Sequence, residues 1–118
     1  MELVVLNRDN SIDLELRSNG QPVDISDITR CVVKIVNDDT DDDYTADSEV
    51  DDTLFDWSSG GEDGILKLWF GNALLDERGE VPSLLPIGSY TCSVFIYDAS
   101  NLNGVYWGDF SMRVVNYG

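Results

Sequence analysis

Residues 89–98 read Ser-Tyr-Thr-Cys-Ser-Val-Phe-Ile-Tyr-Asp, and residues 105–115 read Val-Tyr-Trp-Gly-Asp-Phe-Ser-Met-Arg-Val-Val. Apolar side chains at every second position of these segments predict two β-strands, each with one buried face. The turn-forming stretch Ser-Asn-Leu-Asn-Gly at 100–104 lies between them, which indicates a hairpin. The alternation predicts seven inward-facing core residues: Tyr90, Cys92, Val94, Ile96, Phe110, Met112 and Val114.

The remainder of the chain contains shorter segments of the same kind. Asn19-Gly20 is a strong two-residue turn signal, because both residues tolerate a positive φ. Residues 72–78 form the one helix-like stretch, which Asn72 could cap and Gly79 could end. The pattern predicts an all-β, antiparallel two-sheet sandwich of seven or eight strands, with one short helix before the penultimate strand. The six further strand candidates are 3–6, 12–17, 23–25, 30–36, 53–57 and 65–70.

Length and charge limit what such a domain can do. The 118 residues are enough for one domain, 1–118, with a single core. The formal net charge of −16 argues against nucleic acid and anionic membranes as partners, because the chain has no basic cluster to neutralise phosphates. A basic protein surface or a divalent cation fits this charge. No targeting segment or membrane span is visible, so we expect folding in the cytoplasm.

Nine of the fifteen residues at 38–52 are acidic, and we expect this segment to be a solvated surface loop. Counting from Asp39, carboxylates occupy the first, third and fifth positions of a calcium-type loop, which makes Asp39, Asp41 and Asp43 weak candidate ligands. The sixth position is Tyr44 instead of glycine, and the twelfth is Val50 instead of glutamate, so the segment is not an EF-hand. Loose Ca²⁺ binding remains an alternative, and the sequence predicts no firm metal site or cofactor.

Catalytic signatures are scarce. The chain has no histidine, so serine and cysteine lack their commonest general base. Carboxylate pairs exist, but they lie in the acidic segment, whereas glycosidase pairs need a fixed separation. We therefore predict no catalytic residues and no enzymatic activity.

Two cysteines, Cys31 and Cys92, are too few for a disulfide scaffold and lack the spacing of a zinc site. The stretch Gly88-Ser-Tyr90-Thr-Cys92 matches the Gly-x-Tyr-x-Cys that opens strand F of immunoglobulin domains, with Cys31 on an earlier strand. The core tryptophan expected soon after the first cysteine is absent. A reduced chain would keep both residues as buried thiols, which is the reading that we favour over a disulfide.

Three aromatic residues of the last hairpin are candidates for docking. The alternation places Phe95 and Tyr97 on the outer face, and Trp107 falls roughly opposite Phe95 across the turn. Together they could form an apolar patch of the kind that marks an interface. The alternative is that a neighbouring loop covers them.

A resemblance covers most of the chain. The opening stretch 13–26, continuing to Thr29-Arg-Cys-Val-Val-Lys-Ile35, resembles small immunoglobulin-like proteins of tailed bacteriophage virions. Gly64-Ile-Leu-Lys-Leu and Leu85-Pro-Ile-Gly-Ser-Tyr90 are similar to the second half of those domains. Baseplate upper protein N-terminal domains and small tail, neck and capsid accessory proteins are of this kind. The acidic insertion at 38–52 and the insertion at 81–83 depart from their pattern.

The resemblance implies a non-enzymatic structural accessory protein of the virion, assembled in the host cytoplasm. It would dock onto tail, neck, baseplate or fibre components, and its partners would be other virion structural proteins in a symmetric, multi-copy assembly. A capsid decoration protein on the phage head is the alternative. A third hypothesis is an extracellular adhesion or carbohydrate-binding domain, which the lack of a signal segment disfavours.

Overall fold

The computed structural model describes residues 2–5, 10–50, 54–58, 61–69 and 85–116, and over these residues the protein is all-β. The regular elements within these residues are ten strands and one 3₁₀ turn, Gly61–Asp63. The strands are β1 (Glu2–Val5), β2 (Ser11–Glu15), β3 (Arg17–Ser18), β4 (Gln21–Pro22), β5 (Arg30–Asn37), β6 (Asp43–Asp47), β7 (Phe55–Asp56), β8 (Ile65–Trp69), β9 (Gly88–Asp98) and β10 (Asn101–Val115).

The strands form two main sheets and one small hairpin. The larger sheet has the order β1-β10-β9-β5-β6, and the smaller has the order β2-β8-β7. Strands β3 and β4 pair only with each other, through a turn in which Asn19 and Gly20 have φ of 54° and 79°. The turn predicted from Asn19-Gly20 is therefore confirmed.

Both sheets contribute to one hydrophobic core. The larger sheet supplies Cys31, Val33 and Ile35 from β5, and the smaller supplies Leu66 and Leu68 from β8. The alternation on β9 places its even-numbered residues in this core, because successive side chains of a strand point to opposite faces. Of the seven residues assigned to the core from the sequence, six are buried and Phe110 is half-buried against them. The six are Tyr90, Cys92, Val94, Ile96, Met112 and Val114.

The structure corrects the expected sheet in two respects. Strand β1 pairs with β10 in parallel, with Glu2 opposite Met112 and Val5 opposite Val115, so the larger sheet is mixed. No hairpin joins these two strands, and their relative direction is therefore free of the constraint that a tight turn imposes. The described residues also contain more strands than the expected seven or eight, because β3, β4 and β6 were not predicted and 23–25 is not a strand. The expected helix at 72–78 lies outside the described residues.

The prediction of a solvated loop at 38–52 is wrong for its central part. Residues Asp43–Asp47 form β6, which pairs with β5 and buries Ala46 completely. The turn before it is held by the buried Asn37, whose Oδ1 accepts hydrogen bonds from the backbone amides of Asp39 (2.9 Å) and Thr40 (3.1 Å). An aspartate-rich strand is tolerated here because β6 is an edge strand whose alternate side chains face water. Residues 51–53 lie outside the described residues.

Candidate docking surface

The outer face of the larger sheet carries the most distinctive group of side chains. On β9, Phe95 and Tyr97 face away from the core, in the opposite phase to Val94 and Ile96. Their neighbours on β5 are Val32, opposite Phe95, and Arg30, opposite Tyr97. Val32 is only 4% exposed although it lies outside the main core, so the longer side chains around it shield it from water.

The residue opposite Phe95 on β10 is Tyr106, and the expectation for Trp107 is wrong. The register runs from Tyr106 opposite Phe95 to Gly108 opposite Val94, which leaves Trp107 as an extra residue in a β-bulge. The bulge reverses the alternation of β10, so Trp107 packs against the core. Tyr106 instead lies on the outer face, with its ring centroid 5.7 Å from that of Phe95.

Tyr106 is the most accessible aromatic side chain of this surface, at 56% exposed. We refer to Val32, Phe95, Tyr97 and Tyr106 together as the aromatic face. The aromatic face is difficult to predict from the sequence, because a bulge cannot be located from alternation alone. The glycine at 108, whose φ is 134°, is the one local sign that β10 is irregular at this point.

An ion pair borders the aromatic face. The Arg30 guanidinium lies 4.8 Å from the centroid of the Tyr97 ring, and its Nε donates a hydrogen bond to Oδ1 of Asp47 at 3.0 Å. Its Nη2 contacts the other carboxylate oxygen of Asp47, so the pair is bidentate. The hydrogen bonds from Arg30 hold the pKa of Asp47 below its usual value and raise that of Arg30. The contact with the Tyr97 ring and the two contacts with Asp47 restrain the guanidinium, and the Arg30 side chain as a whole is one-third exposed.

Gly104 of β10 also lies close to the Tyr97 ring. A Cβ at Gly104 would lie 2.8 Å from the Tyr97 ring, and Gly104 has a φ of 86°. Only glycine suits this position, since a side chain would meet both the steric contact and the strained backbone. The Tyr97 ring therefore lies close to both Gly104 and Arg30, and this restraint would reduce the entropy lost if another surface packed against the ring.

Asp109 supplies a negative charge beside the aromatic face. Its Oδ1 accepts a hydrogen bond from the Ser93 hydroxyl at 2.6 Å. A further hydrogen bond to Asp109 raises the pKa of the Tyr106 phenol above its usual value. Polar atoms thus border the aromatic side chains, as at the rim of a protein–protein interface.

The structure does not gather the weak metal candidates into a site. Asp41 occupies a turn position with a φ of 62°, and Asp43 begins β6. Within the described ranges, no group of three or more cysteine or acidic side chains is placed to hold a metal ion. Asp39, Asp41 and Asp43 therefore do not converge.

Both cysteines are free thiols buried within the larger sheet. Cys31 on β5 lies opposite Ile96, and Cys92 on β9 lies opposite Ile35, so the two are offset by four residues along adjacent strands. At about 3.3 Å per residue this offset exceeds the span of a disulfide. Cys31 is thus not on the opposite sheet, where the immunoglobulin pattern would have placed it. Burial raises the pKa of each thiol to about 12.

A cleft lies between β10 and β2, on the inner side of the bulge. Its volume is about 140 Å³, and it is open to the surface. The apolar residues that line it are Leu14, Leu16, Val94, Trp107 and Phe110. Sequence reasoning did not identify this cleft, because it depends on how the two sheets are offset.

The chain matches no protein-family model and no curated protein. Among the described residues there is no helix with the length and apolar character needed to cross a membrane.

Proposed function

We propose that the protein is a non-enzymatic docking module, an accessory structural protein of a tailed-phage virion that attaches through the aromatic face. The observation that carries the docking role is the pairing of the exposed Tyr106 with Phe95 beside the stacked Arg30 and Tyr97. Tyrosine and arginine are the residue types that most often anchor protein interfaces. These side chains are held in place before a partner arrives.

An immunoglobulin-like sandwich is part of this proposal. The orders β10-β9-β5-β6 and β2-β8-β7 are those of strands G-F-C-C′ and B-E-D in a variable-type domain. The buried Tyr90, two residues before Cys92, donates a hydrogen bond from its hydroxyl to the Pro86 carbonyl oxygen at 2.5 Å. A tyrosine at the start of strand F that bonds upstream backbone is the tyrosine corner of such domains. The assignment to phage virions rests on the resemblance of 13–35 and 64–90 to small virion proteins.

Charge favours a basic protein surface as the partner. With a net charge of −16, the domain repels nucleic acid and anionic lipid and attracts a positive surface over a distance of about one Debye length. The lack of histidine supports a structural role over a catalytic one.

Virion incorporation tests this proposal. Tyr106→Ser would be expressed during infection with a phage lacking the gene, and purified virions would be probed for the protein. We expect a folded variant that fails to incorporate, because an aromatic anchor at an interface contributes about 2 kcal/mol or more. Trp69→Ser is the matched control, since Trp69 is exposed on the smaller sheet. Normal incorporation of folded Tyr106→Ser would contradict docking through the aromatic face.

The number of copies of the protein in each purified virion indicates where in the virion it is located. About a dozen copies or fewer would indicate a tail, neck or baseplate position, whereas hundreds of copies would indicate capsid decoration, in line with the symmetry of such assemblies. Absence of the wild-type protein from purified virions would contradict the virion assignment and leave the docking surface to be tested with another partner.

A further inference from the structure

Among the described residues, no strand pairs with the outer edge of β10 over residues 105–111. On the side away from β9, the described neighbour of β10 is β1, and that ladder is confined to the last residues of β10, from Met112 to Val115. In the described part of the chain, the backbone hydrogen bonds outside the regular ladders involve none of 105–111. This stretch therefore presents free amide and carbonyl groups in an extended conformation, as an acceptor for another strand does.

Three other edge strands, β6, β2 and β7, are protected in ways that this one is not. Strand β6 carries aspartates at both ends, β2 carries Asp13 and Glu15, and β7 is only two residues long. Charged and short edge strands resist pairing with other chains. The unpaired stretch of β10 contains a single charged residue, Asp109.

Room for side chains of an added strand exists beside this edge. The cleft between β10 and β2 lies on the inner side of 105–111, and its lining combines apolar side chains, among them Leu14 and Trp107, with the acidic residues Glu15 and Asp109. Gly108 points to the same side, and a Cβ added there would meet no atom within 4 Å. An added strand would place alternate side chains over this cleft and the others on the outer face, because the side-chain period of a strand is two.

Charge indicates the chemistry of the outward residues. Asp109 faces outward, opposite Ser93, so it would lie beside the outward side chains of a strand paired with β10. Opposite charges on neighbouring strands stabilise pairing, and like charges oppose it. The net charge of −16 acts in the same direction and also disfavours a second copy of this chain.

We propose that residues 105–111 of β10 bind an extended segment of a basic partner protein by strand addition. The segment alternates apolar residues, which enter the cleft, with lysine or arginine residues, which face Asp109. This edge carries Tyr106, which also belongs to the aromatic face, but strand addition uses the backbone of 105–111 and does not depend on docking through the aromatic side chains.

Three end-blocked octapeptides test the proposal on the intact protein: alternating Lys-Val, alternating Lys-Pro and alternating Glu-Val. The Lys-Pro peptide keeps the charge but removes half of the amide donors, because proline has no N–H. We expect Lys-Val at about 1 mM to slow amide hydrogen exchange within 105–111, and neither other peptide to do so. Equal binding of Lys-Pro, or no binding of Lys-Val, would overturn strand addition.

Two isosteric variants localise the charge contact. Asp109→Asn should weaken Lys-Val binding about two- to fivefold, the range for an exposed ion pair. Asp27→Asn changes the net charge equally at an exposed position outside the cleft lining and should leave the affinity unchanged. If the peptide slowed amide hydrogen exchange only within 38–50, it would bind the acidic segment, and this result would overturn the proposal. Exchange protection of 105–111 without peptide, accompanied by dimerisation, would identify a second copy as the occupant and also overturn it.

Discussion

The Tyr90 hydroxyl donates a hydrogen bond to the backbone carbonyl oxygen of Pro86, four residues upstream, at 2.5 Å. Tyr90 is fully buried, and its ring lies 6.4 Å from that of Tyr44 on β6. The bond therefore ties the chain entering β9 to a side chain in the core. Burial raises the pKa of the Tyr90 phenol, so it remains a hydrogen-bond donor at neutral pH.

Replacing Tyr90 with phenylalanine tests this bond. The variant keeps the ring but leaves the Pro86 carbonyl without this donor, so we expect Tyr90→Phe to lower the free energy of unfolding by about 1–2 kcal/mol. Urea denaturation measures the change. Tyr106→Phe serves as control, because its hydroxyl is on an exposed side chain and its loss should cost less. Equal losses of unfolding free energy in the two variants would show that the hydrogen bond between Tyr90 and Pro86 adds no stability.

Two glycines with nearly the same backbone conformation provide a second test. Gly20 and Gly64 have φ of 79° and 77°, but an added Cβ meets nothing at Gly20 and lies 2.6 Å from the Leu16 carbonyl oxygen at Gly64. Gly20→Ala should cost about 1 kcal/mol from backbone strain alone. Gly64→Ala adds the clash and should cost about 3 kcal/mol or more. Similar unfolding free energies for the two variants would mean that 64 is not held against Leu16.

The Asp47–Arg30 pair predicts a pH dependence of stability. The pKa of Asp47 is lowered in the folded state, so the unfolded chain binds more protons as the pH falls. The contribution is fully present above the ordinary value of 3.8 and is lost as the pH falls through the folded pKa. The difference in unfolding free energy between wild type and Asp47→Asn should therefore shrink below about pH 4.

Comparing the unfolding free energies of wild type and Asp47→Asn cancels the contribution of the other carboxylates, whose mutual repulsion also weakens when acid protonates them. A double-mutant cycle with Asp47→Asn, Arg30→Met and the variant that carries both substitutions measures the interaction energy of the pair. If the difference between wild type and Asp47→Asn is the same in acid as at neutral pH, the carboxylate is not held by Arg30 in solution.

Alternation predicted the parts of the fold in which one face is buried without interruption. On β9 the pattern placed the inward residues correctly, because a one-residue slip would expose the whole apolar set. The acidic segment was misread because its charge suggested a solvated loop. The single buried Ala46 and the capping Asn37, which define the strand and its turn, give little signal in a sequence of aspartates.

The candidate docking surface shows a second limit. A bulge of one residue places Tyr106 opposite Phe95, where Trp107 was expected, and no periodicity reveals an insertion of odd length. The Arg30–Asp47 contact joins residues seventeen apart in the chain and follows only from the pairing of β5 with β6. The cleft beside β10 likewise depends on the relative placement of the two sheets, which single-strand patterns do not determine.

The bulge makes a further prediction about stability. Trp107 packs against the core, so Trp107→Ser should lower the free energy of unfolding by about 2–3 kcal/mol. Tyr106→Ser removes an exposed ring that touches Phe95 and should cost less than about 1 kcal/mol. Thermal and urea unfolding of the two variants measures the contrast. Because the neighbouring residues are both aromatic and the substitutions identical, the difference reports only which ring faces the core. If Tyr106→Ser were instead the less stable variant, Trp107 would lie on the outer face and the bulge would lie elsewhere in β10.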